Sequence, residues 1–162
     1  IKSELESEGI DFDRDIPVGA MIETPAANMI ADLLAKECDF FSIGTNDLTQ
    51  YTMAADRGNP KVSYLNDTYE PAVLRSIRHI IQCAKEAGIP VGMCGEAAAD
   101  PMMTPLLLAF GLDEFSVNPA SVLRTRYNIS RWTKEEANRI ADIVMNLETA
   151  EEIRKYLKEA SA

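Results

Sequence analysis

Residues 39–47 read DFFSIGTND, an apolar run of strand length that ends in small and polar residues. A helical pattern follows directly, and the same succession occurs three more times along the chain. The other runs are PVGAMIETP at 17–25, IPVGMCGE at 89–96 and EFSVNP at 114–119. Strands that alternate with helices predict a parallel sheet with right-handed crossover connections. The sequence therefore predicts an α/β fold built from four parallel βα units.

The predicted helices fill the intervals between the strands and the end of the chain. Apolar periodicity and terminal signals predict helices over 26–36, 47–55, 71–87, 102–110 and 119–126. Two C-terminal helices follow, because Thr133 and Thr149 each stand three residues before a glutamate, which is the spacing of a capping box. Residues 56–70 form a long polar connection, and a loop of that length in a compact domain is usually functional or mobile.

Two closures of the sheet are compatible with this pattern. One is a doubly wound open sheet, and the other is part of a (β/α) barrel. A complete eight-stranded barrel needs about 250 residues, so four units in 162 residues amount to half of one. In both arrangements the carboxyl ends of the strands form the face on which binding sites are built.

The composition limits the classes of partner. A formal net charge of -10 argues against binding to nucleic acid or to an anionic membrane surface. No apolar stretch approaches the roughly 20 residues of a membrane span, and no secretory leader is visible. The three cysteines lack metal-site spacing, which is typical of free thiols in the reducing cytoplasm. Because the chain begins at Ile1, we expect residues 1–162 to be a single piece of a longer protein.

Two carboxylates follow successive strands, Glu23 after the first and Asp47 after the second. If they lay close together at one edge, they would repel each other unless a cation stood between them. Mg²⁺ is typically held by one or two protein carboxylates, with substrate phosphate and water completing its shell. A magnesium site and a pair of merely exposed or helix-capping acids both fit the pattern.

Further residues with useful chemistry are expected at the same edge, among them Glu96 and Asn118. Asn46 begins a turn or a helix, where backbone N–H groups can bind an anion. Arg57 can bind a carboxylate or a phosphate through two hydrogen bonds, or can pair with Asp56 or with solvent at the surface. Cys94 ends a strand, and both a buried structural thiol and a general acid are compatible with that position.

Taken together, four stretches are more specific than any of their residues. They are AMIETPAA at 20–27, DFFSIGTNDLTQY at 39–51, ADRGN at 55–59 and GMCGE at 92–96. Their order and spacing resemble those of the phosphoenolpyruvate-utilising enzymes over essentially the whole chain. Within that family they are most similar to the C-terminal barrel of the phosphoenolpyruvate–protein phosphotransferases, the Enzyme I group of the bacterial sugar phosphotransferase system.

The resemblance implies a TIM-type (β/α) barrel of which this chain is the C-terminal half. Enzymes of this group bind phosphoenolpyruvate and Mg²⁺, pass the phosphoryl group to a histidine on another domain and then to the carrier protein HPr, and release pyruvate. By position in the motifs, Glu23 and Asp47 are the implied metal ligands. Asn46 and Arg57 are the implied substrate contacts, and Cys94 is the implied acid that protonates the enolate carbon.

The chain departs from the family in what it lacks. The earlier barrel strands and their arginines are absent, and the only histidine, His79, does not match the phosphorylated motif. We therefore expect the parent protein to be an enzyme, and this chain alone not to catalyse the full reaction. A half-barrel also has two open sheet edges, which predicts association into a homodimer or a higher oligomer.

Two other interpretations stay open. Pyruvate phosphate dikinase and phosphoenolpyruvate synthase share the barrel and the GTND and CGE motifs, although ADRGN at 55–59 and the brief tail after Arg131 favour the phosphotransferases. The second interpretation is a non-catalytic dimerisation or regulatory module, since Enzyme I dimerises through this region.

Overall fold

Four short strands form one parallel sheet in the computed structural model, which describes residues 1–161. The strands are β1 (Gly19–Ile22), β2 (Phe40–Gly44), β3 (Val91–Cys94) and β4 (Glu114–Phe115). They lie side by side in the order β1-β2-β3-β4, and every neighbouring pair is parallel. Consecutive strands follow this order in a (β/α) barrel, whereas a doubly wound sheet reverses its order at a switch point. The predicted four parallel βα units are confirmed, and their order is that of half a barrel.

Helices follow the strands and fill the end of the chain. Their bounds are α1 (Lys2–Ser7), α2 (Pro25–Met29), α3 (Ala31–Leu34), α4 (Thr45–Met53), α5 (Pro71–Ala87), α6 (Glu96–Ala99), α7 (Thr104–Phe110), α8 (Val122–Ser130), α9 (Lys134–Val144) and α10 (Ala150–Ala160). Single 3₁₀ turns lie at Ser63–Leu65 and Pro119–Ser121. Within residues 1–161, no helix combines the length and the apolar character that crossing a bilayer requires.

The local signals predicted several helix ends correctly. α5 begins with Pro71 at its first position and ends at Gly88, whose φ of 74° is left-handed. The capping boxes of Thr133 and Thr149 are both present, each with reciprocal hydrogen bonds to the glutamate three residues on. α9 packs against α7.

Other boundaries differ from the predictions because tertiary packing overrides local pattern. The predicted helix 26–36 is interrupted at Ile30, whose φ of -116° and ψ of 23° are not helical. Beside this break, Asn28 donates to the Ser76 hydroxyl on α5 at 3.0 Å. α4 begins at Thr45 and not at Asp47, because Gly44 at the end of β2 serves directly as its N-cap. The helix predicted from residue 102 begins at Thr104.

The two faces of the sheet have different surroundings. Alternate strand residues such as Phe41, Ile43 and Met93 are fully buried beneath the helices, with α5 in contact with both β2 and β3. On the opposite face, Phe40 is 38% exposed and Met21 is 47% exposed. A hollow of about 760 Å³ lies against this second face. This is the face that points inward in a closed barrel.

At the amino ends of the strands, two aspartates each accept a hydrogen bond from the backbone at the start of the neighbouring strand. Asp39 accepts a hydrogen bond from the Val18 N–H at 2.7 Å, and Asp113 accepts one from the Val91 N–H at 2.9 Å. Asp113 also forms an ion pair with Lys85 of α5. Burial would raise the pKa of Asp113, but the Lys85 ammonium and the Val91 N–H outweigh it, and the pKa is lowered. This end of the half-barrel serves stability.

We expect Asp113→Asn to reduce the free energy of unfolding by about 1 kcal/mol near neutral pH, a value kept small because solvent screens the half-exposed pair. The folded-state pKa lies below the ordinary 3.8. The stabilisation is therefore complete above that value and disappears as the pH falls through the folded pKa. Urea unfolding of both proteins at about pH 7 and about pH 2.5 measures the difference. Asp142→Asn on α9 is the charge-matched control, and an undiminished gap in acid would contradict the prediction.

Candidate active site

The first turn of α4 is the centre of the site. Gly44 caps this helix without a side chain, so Asn46 and Asp47 lie in its first turn, immediately after β2. The first backbone N–H groups of a helix have no partner within the helix, and the helix dipole is positive at this end. Asp47 therefore occupies a favourable position for an anion, and the same groups favour an anionic ligand.

Glu23 lies directly over the start of α4. It follows β1, while Thr24 caps α2 by accepting a hydrogen bond from the Ala27 N–H at 3.1 Å. A Cβ added to Gly44 would lie only 2.7 Å from the Glu23 Oε2 atom. Because Gly44 has no side chain, the Glu23 carboxylate can occupy this space. The structure brings Glu23 to the helix end that carries Asp47, as the sequence predicted.

Arg57 reaches back from the loop after α4 to this same point. Its Nη2 atom lies 3.5 Å from the Asp47 Oδ1 atom, and its backbone N–H donates to the Gln50 side chain at 3.0 Å. Asp56 is occupied instead by the Gly58 N–H, at 2.8 Å. Among residues 1–161, the ion pair of Arg57 is the one with Asp47, and none is formed with Asp56. Because the Arg57 side chain is 48% exposed, a ligand can reach its guanidinium group.

Cys94 ends β3 on the inward face and is partly buried. It is paired in register with Gly44, and its Sγ atom lies 4.0 Å from the Met21 Sδ atom. The Met21 sulfur also lies close to Gly44, at 3.1 Å from where a Cβ would stand. Cys94 is thus one side chain away from the space above Gly44 that Glu23 occupies. The structure places all five predicted site residues at one edge of the sheet.

The orientation of Asn46 is set by its partner. The Glu96 N–H donates to the Asn46 side-chain oxygen at 3.1 Å. Because a backbone N–H can only donate, the atom facing it is Oδ1, and Nδ2 is the remaining donor of the amide. Asn46, Glu96 and Asn118 line a polar cavity of about 460 Å³. Asn118 uses its own side-chain oxygen to cap the turn that follows it, at 3.0 Å from the Ser121 N–H.

Two residues of the site have roles that the sequence reasoning did not assign. Gly95 has a φ of 91° and a ψ of -173°, a conformation essentially restricted to glycine. A Cβ there would lie 2.4 Å from the Thr45 hydroxyl oxygen and 3.0 Å from the Asn46 Oδ1 atom. Thr45, which is fully buried, donates to the Cys94 carbonyl at 2.8 Å. A glycine between a strand end and a helix start was the available signal for this close approach.

The donor set suits a hard cation. Among residues 1–161, histidine, cysteine, aspartate and glutamate side chains form no group of three or more that could hold a metal ion. Glu23 and Asp47 nevertheless supply two carboxylates around one helix N-terminus. Mg²⁺ in enzymes that act on phosphate compounds is commonly bound through one or two carboxylates, together with substrate oxygens and water. The residues present fit that mode of binding.

Fold and site together define a class: half of a (β/α) barrel whose carboxyl edge presents carboxylates, an amide, a guanidinium and a thiol. Residues 1–134 match the family model described as the PEP-binding domain of PEP-utilising enzymes. The chain belongs to this family of phosphoenolpyruvate-utilising enzymes, which confirms the resemblance seen in the motifs.

Curated relatives with high sequence identity indicate which group within the family this chain is similar to. The chain is 53% identical over 157 residues to the phosphoenolpyruvate-protein phosphotransferase of Geobacillus stearothermophilus, covering 97% of this chain and 27% of the relative. It is 49% identical over 158 residues to the protein of the same name from Bacillus subtilis (strain 168), covering 98% and 28%. The chain therefore spans little more than a quarter of the length of these relatives.

A solved structure agrees with the fold. A citrate lyase from Burkholderia xenovorans LB400 superposes with a TM-score of 0.57 over 99% of this chain and 57% of the lyase chain. The sequence identity is 17%, so the likeness concerns the fold alone.

Proposed function

We propose that this chain is the phosphoenolpyruvate- and magnesium-binding part of a phosphoenolpyruvate–protein phosphotransferase. The observation that carries the proposal is the grouping around the first turn of α4: Glu23 over Gly44, and Arg57 beside Asp47. Relatives that are 53% and 49% identical in sequence are named phosphoenolpyruvate-protein phosphotransferase. This favours a phosphotransferase over pyruvate phosphate dikinase and phosphoenolpyruvate synthase. The transferase activity belongs to the parent protein.

In the proposed site, Arg57 and Asn46 position the substrate. Phosphoenolpyruvate carries a phosphate and a carboxylate, both of which match a guanidinium and an amide N–H₂ as hydrogen-bond acceptors. Glu23 and Asp47 would hold Mg²⁺, and the ion would supply charge that neutralises the phosphoryl group. The Cys94 thiol donates its proton to the methylene carbon of the enolate, so that the enolate becomes pyruvate and the thiol becomes a thiolate.

The remaining steps of the parent reaction require other domains. The phosphoryl group passes to a histidine on another domain and from there to HPr, so residues 1–162 by themselves bind substrate without completing the transfer. We place the parent protein in the cytoplasm.

Because the β1 and β4 edges are open in residues 1–161, the chain pairs with a second copy. A monomer by light scattering at micromolar concentration would contradict the pairing.

Calorimetric titration of phosphoenolpyruvate into the 162-residue chain tests the proposed function. We expect binding in the presence of Mg²⁺ and its loss on addition of chelator, because a metal held by Glu23 and Asp47 would supply the positive charge that offsets the substrate phosphate. Circular dichroism before and after chelation verifies that the chain stays folded. No heat of binding in a folded chain with Mg²⁺ would show that these residues alone do not form a competent site.

A further inference from the structure

The loop that carries Arg57 is buried at one point near each end, at Ala55 and at Tyr69. It runs over residues 54–70 between α4 and α5, and its middle is open to solvent, with Tyr64 77% exposed. Near its end, the Asn66 side chain donates to the Ala55 carbonyl at 3.0 Å. The Thr68 and Thr49 hydroxyls are 3.2 Å apart. Arg57, by contrast, depends on the Gln50 and Asp47 contacts, both of them solvent-accessible.

Tyr69 is the buried anchor of this far end. Its side chain is only 3% exposed, and its hydroxyl donates to Asp100, which lines the polar cavity beside Asn46. Burial, and then the hydrogen bond to Asp100, raise the pKa of Tyr69, so the phenol stays protonated and remains a donor. The second Asp100 oxygen accepts the Met102 N–H at 2.9 Å. Both oxygens of Asp100 are therefore engaged by this framework.

Arg154 of the C-terminal helix α10 completes the anchor. Its Nε and Nη2 atoms donate to the two oxygens of Asp67, at 3.1 Å and 2.5 Å. Its guanidinium carbon lies 4.1 Å from the centroid of the Tyr69 ring, within cation–π distance. Arg154 thus contacts the end of the loop in two ways. It donates a fork of two hydrogen bonds to the Asp67 carboxylate, and it stacks on the buried Tyr69 ring. Lysine could reproduce neither the fork nor the planar stacking.

We propose that Arg154 and Tyr69 are positioning residues for the ligand site, acting through the loop that presents Arg57. Their contacts hold residues 67–69 against α10 and against Asp100 after α6, beside the Thr68 contact with α4. The loop leaves this anchor to bring Arg57 beside Asp47. Without the anchor, the guanidinium would spend part of its time away from the substrate. This inference rests on the proposed function only for its ligand-binding consequence.

Two readouts test the inference. Tryptic cleavage after Arg57 and Lys61 in the ligand-free chain reports loop opening, and calorimetry with phosphoenolpyruvate and Mg²⁺ reports positioning. We expect Arg154→Ala and Tyr69→Phe to speed cleavage several-fold and to weaken binding by about tenfold. In an Arg57→Ala background, Arg154→Ala should weaken binding no further, since its effect passes through Arg57. Arg154→Lys should restore only part of the loss.

Lys155→Ala is the matched control, because Lys155 is exposed on the same helix and carries the same charge. Tyr69→Phe retains the ring, so the fold is preserved while the hydroxyl is lost. Unchanged cleavage rates in folded variants, or an equal loss of binding with and without Arg57, would overturn the inference. If the wild-type chain binds no phosphoenolpyruvate, the proposed function fails for this chain, and the cleavage rates alone decide the inference.

Discussion

Gly95→Ala is expected to destabilise the chain by about 3 kcal/mol and to abolish phosphoenolpyruvate binding. Two separate costs add. The φ of 91° and ψ of -173° are strained for any residue with a Cβ, and that Cβ would stand 2.4 Å from the Thr45 hydroxyl oxygen. Thr45 is the fully buried first residue of α4, and its hydroxyl donates to the Cys94 carbonyl at the end of β3, so it cannot withdraw. The strand end and α4 must then separate, which moves Asn46 and Cys94 apart.

Gly88→Ala separates the two costs. Gly88 also has a left-handed φ, 74°, but a Cβ there would meet nothing within 4 Å. We expect it to cost about 1 kcal/mol, from backbone strain alone, and to leave binding intact. Thermal unfolding and calorimetry of both variants give the measurement. Equal destabilisation by the two substitutions would mean that the close approach of Gly95 to Thr45 carries no energy.

The features that the sequence predicted correctly are those set by interactions between residues close together in the chain. The limits of α5 were predictable because Pro71 and Gly88 act within one turn of the helix. The capping box of Thr133 is equally local, since the threonine and the glutamate are three residues apart. The four strand cores were predictable from runs of apolar residues. Each of these signals depends on neighbours in the sequence, and each appears in the structure.

The features that were not predicted depend on contacts between distant parts of the chain. Asp67 and Arg154 are 87 residues apart, and Tyr69 and Asp100 are 31 residues apart. The sequence around each of these residues does not indicate its partner. α4 begins two residues earlier than predicted because its N-cap is a glycine and not a polar side chain that the sequence would show. Glu23, Asp47 and Cys94 were expected at one edge because the strand ends of parallel βα units share it, and the structure places them there. Their mutual contacts, such as Arg57 with Asp47, required the structure.

Replacing Glu23 with glutamine is expected to weaken Mg²⁺-dependent binding of phosphoenolpyruvate by at least about 100-fold, and Asp47→Asn should do the same. Each variant keeps its shape but loses the charge that a hard dication requires. In the metal-free chain the two should differ. Asp47 forms an ion pair with the Arg57 guanidinium at 3.5 Å and lies in the positive first turn of α4. Asp47→Asn should therefore also release Arg57, whereas Glu23→Gln should not.

Asp32→Asn on α3 is the control, because it removes the same charge from an exposed position outside the strand ends. Mg²⁺ should raise the unfolding temperature of the wild-type chain and of this control, since a ligand that binds only the folded state stabilises it. It should leave both carboxylate variants unchanged. Tryptic cleavage after Arg57 in the absence of metal should rise only in Asp47→Asn. If Glu23→Gln retained wild-type affinity for Mg²⁺, the second carboxylate of the proposed site would have to be sought elsewhere, and the position of Glu23 over Gly44 would be a matter of packing.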